Sequence, residues 1–257
     1  MIVPIGTSRL HEAFELGKAA GILEPTFLGA GYFHCPGQAL NLIELGTGRR
    51  ELTTTERRRF FRRDQTRDNP FDTALWDETA DASVERIREG FASASAFVIE
   101  ISSLRSYFYG GLYYQGNPNA DRNVPYAEVW REGYYHHYEP GLGVHVYDAT
   151  VTEVTLALES IKFRLGQRPV IVVPHLVGVS HEIPVRRSLH GILQQASEVA
   201  ETEFISLEAI VDLHGFRVLD DGTTDIHHLP TAGCRDVANL IAASLRSSLG
   251  PNEPTRL

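Results

Sequence analysis

The stretch "TTDIHHLP", residues 223 to 230, sets an acid, Asp225, just ahead of the adjacent histidines His227 and His228. A histidine oriented by a carboxylate is the general base of nucleophilic hydrolysis, and it needs a hydroxyl to act on. The same residues could equally form a surface turn or a metal clip, so the choice rests on a nucleophile elsewhere in the chain. In open α/β sheets, ligands bind beyond the carboxyl ends of the strands. The serine therefore belongs at the end of an early strand, on a tight turn entering a helix. "IVPIGTSRLHEAF" has that order, with Ser8 directly after Gly6-Thr7. At a helix N-terminus the Ser8 backbone N–H is free to bind an oxyanion. The alternative is a plain N-cap, a position that serine favours.

The elements that must hold these residues alternate along the chain. Strands are expected at "MIVPIG", "PTFLGA", "AFVIEIS", "RPVIVVPHL" and "EFISLEA". Val170 to Val173 run without a polar break, as a strand buried on both faces requires. Apolar positions at helical spacing mark "SRLHEAFELGKAAG", "GQALNLIELGTG", "DASVERIREGFASA", "TVTEVTLALESIKFRLG", "IPVRRSLHGILQQASEVAE" and "AGCRDVANLIAASLRSSLG". This alternation, without a Pro/Ser-rich linker, predicts one α/β domain over residues 1–257, with a mainly parallel sheet covered on both faces.

Two segments interrupt the rhythm. The run "ERRRFFRRDQTR" holds Arg57, Arg58, Arg59, Arg62 and Arg63 and reads as a solvated face, with an anionic substrate contact as the alternative. Residues 105 to 147 carry nine of the ten tyrosines and one of the two tryptophans. An insertion of this length in a compact domain is commonly functional. It is expected to form a lid or substrate wall, with Tyr107, Tyr109, Tyr134 and Tyr135 facing the substrate. A packing subdomain or a homo-oligomer contact is the other reading. His175 ends the strongest strand and so faces the expected cleft, either to orient substrate or as a structural histidine.

Composition excludes some roles. A formal charge of −9 argues against a nucleic-acid partner. No apolar run approaches the roughly 18 residues of a membrane span. The start "MIVPIGTSRL" lacks a basic leader, and two cysteines, Cys35 and Cys234, make no disulfide framework; a cytoplasmic location is the expectation. The pairs His136-His137 and His227-His228 come without HExxH or CxxC, so neither a metal nor a cofactor is expected. "GTGRR" lacks the Lys-Ser/Thr step of a P-loop. His34-Cys35 could pair a thiol with a base, but sequence neighbours need not face one another.

Taken together, Gly6-Thr7-Ser8 and Asp225-Ile-His-His228 resemble the serine and Asp-x-x-His blocks of the SGNH (GDSL-like) hydrolase superfamily, in particular its GSCFA-like members. Thr7 stands where the family has aspartate. The resemblance implies a three-layer α/β/α sandwich of flavodoxin-like type with a five-stranded sheet. It implies Ser8 as nucleophile, His228 rather than His227 as base, and Asp225 as its partner. The Ser8 N–H and Gly37, in "CPGQAL", would line the oxyanion hole. The family's Gly-x-Asn-Asp block has no counterpart in "VIEISSLRSY", where Ser102 or Ser103 is the available donor. The implied activity is ester hydrolysis or O-acyl transfer on a carbohydrate or other polar small molecule. The missing asparagine leaves a second class open: a binding protein on the same scaffold with weak or no activity.

Overall fold

Four apolar strands lie side by side and parallel: β1 (Ile2–Ile5), β2 (Ala96–Ile101), β6 (Val170–Pro174) and β7 (Glu203–Phe204), in the order β1-β2-β6-β7. The computed structural model describes residues 1–29, 33–53, 56–57, 73–114 and 145–249. Register pairs Val3 with Phe97, Ile99 with Val172, and Ile171 with Glu203. Side chains alternate across such strands, and two cores result. Val3, Ile5, Phe97, Ile99, Val170 and Val172 face one. Ile2, Ala96, Val98, Ile171 and Val173 face the other.

Helices cover both faces. Against the first core pack α2 (Pro36–Gly46), α3 (Thr73–Ser93), α4 (Val151–Leu165) and α5 (Pro184–Val199). Against the second pack α1 (Ser8–Ala19), the short α6 (Glu208–His214) and α7 (Thr231–Leu249). The apolar stripe of α1 is Leu10, Ala13, Phe14 and Gly17; that of α7 is Cys234, Val237, Ala238, Ile241, Ala242 and Leu245. Both follow the i, i+3, i+4, i+7 rule that gives a helix one buried face. The start of α4 is fixed by a capping box between Thr150 and Glu153. Among the described residues, no helix is long and apolar enough to cross a membrane.

The sheet differs from the expectation at its edge. "PTFLGA" contributes a single parallel bridge, Ile2 to Pro25, flanked by Ile2 N–H to Glu24 O at 3.2 Å and Thr26 N–H to Ile2 O at 2.8 Å. These bonds use the groups of Glu24 and Thr26, so the side of Pro25 that lacks an N–H faces away from β1, as suits an edge position. The insertion is not only loop: β3 (Arg105–Tyr109), β4 (Leu112–Tyr114) and β5 (His145–Asp148) form an antiparallel sheet in the order β4-β3-β5. Near the carboxyl end, "RV" and "TD" pair as a small hairpin, β8 (Arg217–Val218) and β9 (Thr224–Asp225), that the sequence patterns did not suggest. Most of the arginine-rich run and residues 115–144 lie outside the described residues.

Candidate functional site

Ser8 opens α1 directly beyond the carboxyl end of β1, and Thr7, not Ser8, is the N-cap. The turn is held from a neighbouring strand. Glu100 of β2 is 4% exposed and accepts three donors: Thr7 N–H at 2.8 Å, the Thr7 hydroxyl at 2.6 Å and Arg9 Nε–H at 2.7 Å. Burial by itself pushes the Glu100 carboxyl up, but the Arg9 guanidinium and the Thr7 donors outweigh it and hold the group below its usual range. Gly6 is required beside it, since a Cβ there would stand 2.6 Å from the Glu100 Cβ. Sequence reading missed Glu100 and Arg9. The available signal was one acid in the otherwise apolar strand "AFVIEI", because a carboxylate is buried only when it is paired.

The partner histidine arrives from 220 residues away. Ser8 Oγ lies 3.2 Å from His228 Nε2, and His228 Nδ1 lies 2.6 Å from Asp225 Oδ2. The other Asp225 oxygen accepts the His227 N–H at 2.9 Å. Burial pushes the Asp225 carboxyl up, but these donors outweigh it and hold the group below its usual range. An ionised carboxylate only accepts, so His228 Nδ1 carries the proton and Nε2 is left to accept from the serine hydroxyl. The first-turn N–H groups of α1, including that of Ser8, have no intrahelical partner and point toward the same end of the sheet.

Further bonds clamp the His228 segment to the helix that starts at Ser8. Leu229, next to His228, is buried in the core that α1 and α7 share. Arg217 of β8 donates to Leu229 O through Nε at 3.2 Å and Nη2 at 2.9 Å, and Nη2 also pairs with Glu12 of α1. The hairpin bearing Asp225 and the helix bearing Ser8 are thus tied by one guanidinium. Comparison with protein-family models, with curated proteins and with solved structures finds no match. The chemistry of the site rests on its own geometry, and that geometry is a serine hydroxyl, an imidazole and a carboxylate in hydrogen-bonded series.

The remaining expected residues are distributed differently. Gly37, the second residue of α2, is covered by the Tyr113 ring. The Ser102 N–H donates to His34 O at 2.9 Å, and its hydroxyl lies 3.0 Å from His34 Nδ1. Of these two sequence-based oxyanion donors, Ser102 is engaged by His34 and Gly37 is packed under an aromatic ring. Tyr107, expected on a substrate wall, is instead 8% exposed in the first core, because β3 turns that side chain inward. The Tyr109 side chain, Tyr134 and Tyr135 lie outside the described residues.

His175 does stand beside the site. It is 7% exposed, its ring lies 5.8 Å from that of His227, and its Nδ1 has no hydrogen-bond partner. Burial, with Arg9 and Arg186 nearby, drives it far below the ordinary histidine range, so it is neutral. Burial pushes the thiols of Cys35 and Cys234 up, the latter to about 11, which makes both poor nucleophiles. Among the described residues, no group of three His, Cys, Asp or Glu side chains could hold a metal. A small cavity lined by Arg9, Glu100, Val173, Leu176, Leu229 and Cys234 lies behind the turn, and neither Ser8 nor His228 lines it.

Proposed function

We propose that this protein is a serine-dependent acyl-ester hydrolase or O-acyltransferase of the SGNH (GDSL-like) kind, acting on a carbohydrate or other polar ester. The observation that carries the reading is the series Ser8 Oγ, His228, Asp225, with contacts of 3.2 and 2.6 Å. Ser8 Oγ attacks the ester carbonyl as its proton passes to His228 Nε2. Asp225 keeps the imidazole in the required tautomer and stabilises the imidazolium. The oxyanion develops against the Ser8 N–H at the start of α1. His228 then returns the proton to the leaving alcohol, and water or an acceptor hydroxyl repeats the cycle on the acyl-enzyme.

The scaffold supports the same reading. With the Pro25 bridge outside β1, successive chain segments line up as second, first, third, fourth and fifth, the flavodoxin-like order. Ser8 follows the strand at which that order reverses, where such folds bind ligands. The carboxylate missing from position 7 is supplied across the sheet by Glu100.

A fluorophosphonate probe tests the proposal. Wild type should be labelled and Ser8→Ala should not, with the circular dichroism spectrum unchanged. Equal labelling of Ser8→Ala would refute the assignment. One observation favours a second reading, a binding protein of low activity: two expected oxyanion donors are engaged by other side chains, Gly37 under the Tyr113 ring and the Ser102 hydroxyl 3.0 Å from His34 Nδ1. Loss of one such donor costs about 10²–10³ in rate. Wild type that stays unlabelled would decide for that reading.

A further inference from the structure

The triad uses one histidine of the pair and leaves His227 without a role. Its surroundings give it one. Arg186, in the first turn of α5, is 6% exposed, and no carboxylate pairs with it among the described residues. Nη1 donates to Leu176 O at 3.2 Å and Ile226 O at 2.7 Å, and Nη2 lies 3.3 Å from His227 Nδ1. A guanidinium has no acceptor atom, so His227 Nδ1 must accept and the ring proton must sit on Nε2. A second proton on His227 would face that cation. Burial pushes the His227 imidazole below its ordinary range, and Arg186 and Arg9 add to the effect. Arg186, pushed down to about 10 by burial, is still charged at neutral pH.

His227 therefore presents a fixed N–H donor from a partly exposed side chain, adjacent in sequence to the catalytic base. The ring of His175, buried and with Nδ1 unpartnered, lies 5.8 Å from that of His227. A buried polar atom without a partner calls for an explanation, and a ligand is one. The group that suits both rings is a hydroxyl: it accepts from His227 Nε2–H, and it donates to or accepts from His175 Nδ1, whichever tautomer His175 holds.

We propose that His227 and His175 form a hydroxyl-binding subsite for the alcohol portion of the ester, with Arg186 as the positioning residue that fixes the His227 tautomer. This rests on the acyl-ester reading above and names the substrate class for it: esters of polyols or sugars that keep a free hydroxyl near the acylated oxygen.

Two measurements test it. In two-bond ¹H–¹⁵N spectra of the ¹⁵N-histidine-labelled protein at pH 7, His227 should show an unprotonated Nδ1 and a protonated Nε2. Arg186→Met should move it to a mixture of tautomers. A wild-type His227 that is protonated on Nδ1 would overturn the proposal. The second measurement is the ratio of kcat/KM for 6-O-acetylglucose to that for p-nitrophenyl acetate, whose alcohol bears no hydroxyl. His227→Phe should lower that ratio about tenfold, mainly through KM for the sugar ester, the scale of one hydrogen bond. His227→Gln, whose amide can place a donor near the Nε2 position, should recover most of it. A ratio unchanged within twofold in His227→Phe would overturn the subsite while leaving Ser8 as nucleophile. Wild type unreactive toward the fluorophosphonate would overturn the acyl-ester reading and the subsite together.

Discussion

Replacing Glu100 with glutamine asks whether the turn that carries Ser8 is held by charge. One carboxylate serves three donors: Thr7 N–H and the Thr7 hydroxyl on Oε2, and Arg9 Nε–H on Oε1. Glutamine keeps one acceptor oxygen and converts the other to a donor. In either orientation of the amide, the buried Thr7 donors or the Arg9 cation lose their partner. Removing one member of a buried ion pair costs about 3–5 kcal/mol. The Arg9 side chain, 12% exposed, keeps slight access to water, which places the loss near the lower bound, about 3 kcal/mol. At roughly 2–4 °C per kcal/mol for a chain of this size, Tm should fall by about 6–12 °C. Because the same bonds place Ser8, the fluorophosphonate labelling rate at 20 °C should fall about tenfold or more.

The pH dependence has a definite sign. Arg9 and Thr7 hold the Glu100 carboxyl below its usual range against the opposing effect of burial. A depressed carboxylate contributes stability that is present above its unfolded value, about 4.3, and lost as pH falls through the folded one. The gap between wild type and Glu100→Gln, measured by urea unfolding, should therefore hold from pH 8 to pH 5 and close only in stronger acid. A Tm loss under about 2 °C, or a gap that closes between pH 7 and pH 5, would refute the argument.

His175 is buried neutral, so below about pH 6.5 the unfolded chain binds a proton that the native state does not, and stability falls by about 1.4 kcal/mol per pH unit from this group. Urea unfolding at pH 5 should show His175→Gln losing about 2 kcal/mol less than wild type does relative to pH 7.5. Iodoacetamide at pH 7.5 should leave Cys35 and Cys234 unmodified in the native protein and alkylate both in urea; native labelling of Cys35 would revive the thiol–histidine pair. Gly37→Ala would set a Cβ 2.5 Å from the Tyr113 ring, and overpacking of this kind costs about 1–3 kcal/mol. In a Tyr113→Ala background the added cost of Gly37→Ala should shrink toward zero, because only the ring is in conflict.

The sequence by itself determined the alternation of strands and helices, because strands buried on both faces read as continuous apolar runs, as in β2 and β6, and helices with one buried face repeat every 3.6 residues, as in α1 and α7. It also brought forward Ser8, Asp225 and His228, since the carboxylate and its histidine share one turn and the serine ends the first strand. Only the tertiary structure decided what surrounds them. Glu100 and Arg186 are each a single charge whose partners come from distant segments, and no local spacing records such a pairing. Tyr107 was expected on a substrate wall because its segment gathers tyrosines, yet β3 turns it into the core. The expected strand at "PTFLGA" contributes one bridge, Ile2 to Pro25, an edge pairing that only its position beside β1 decides. Local pattern fixes which face of an element is buried, whereas the company a polar side chain keeps is set by contacts across the sheet, which a one-dimensional pattern cannot encode.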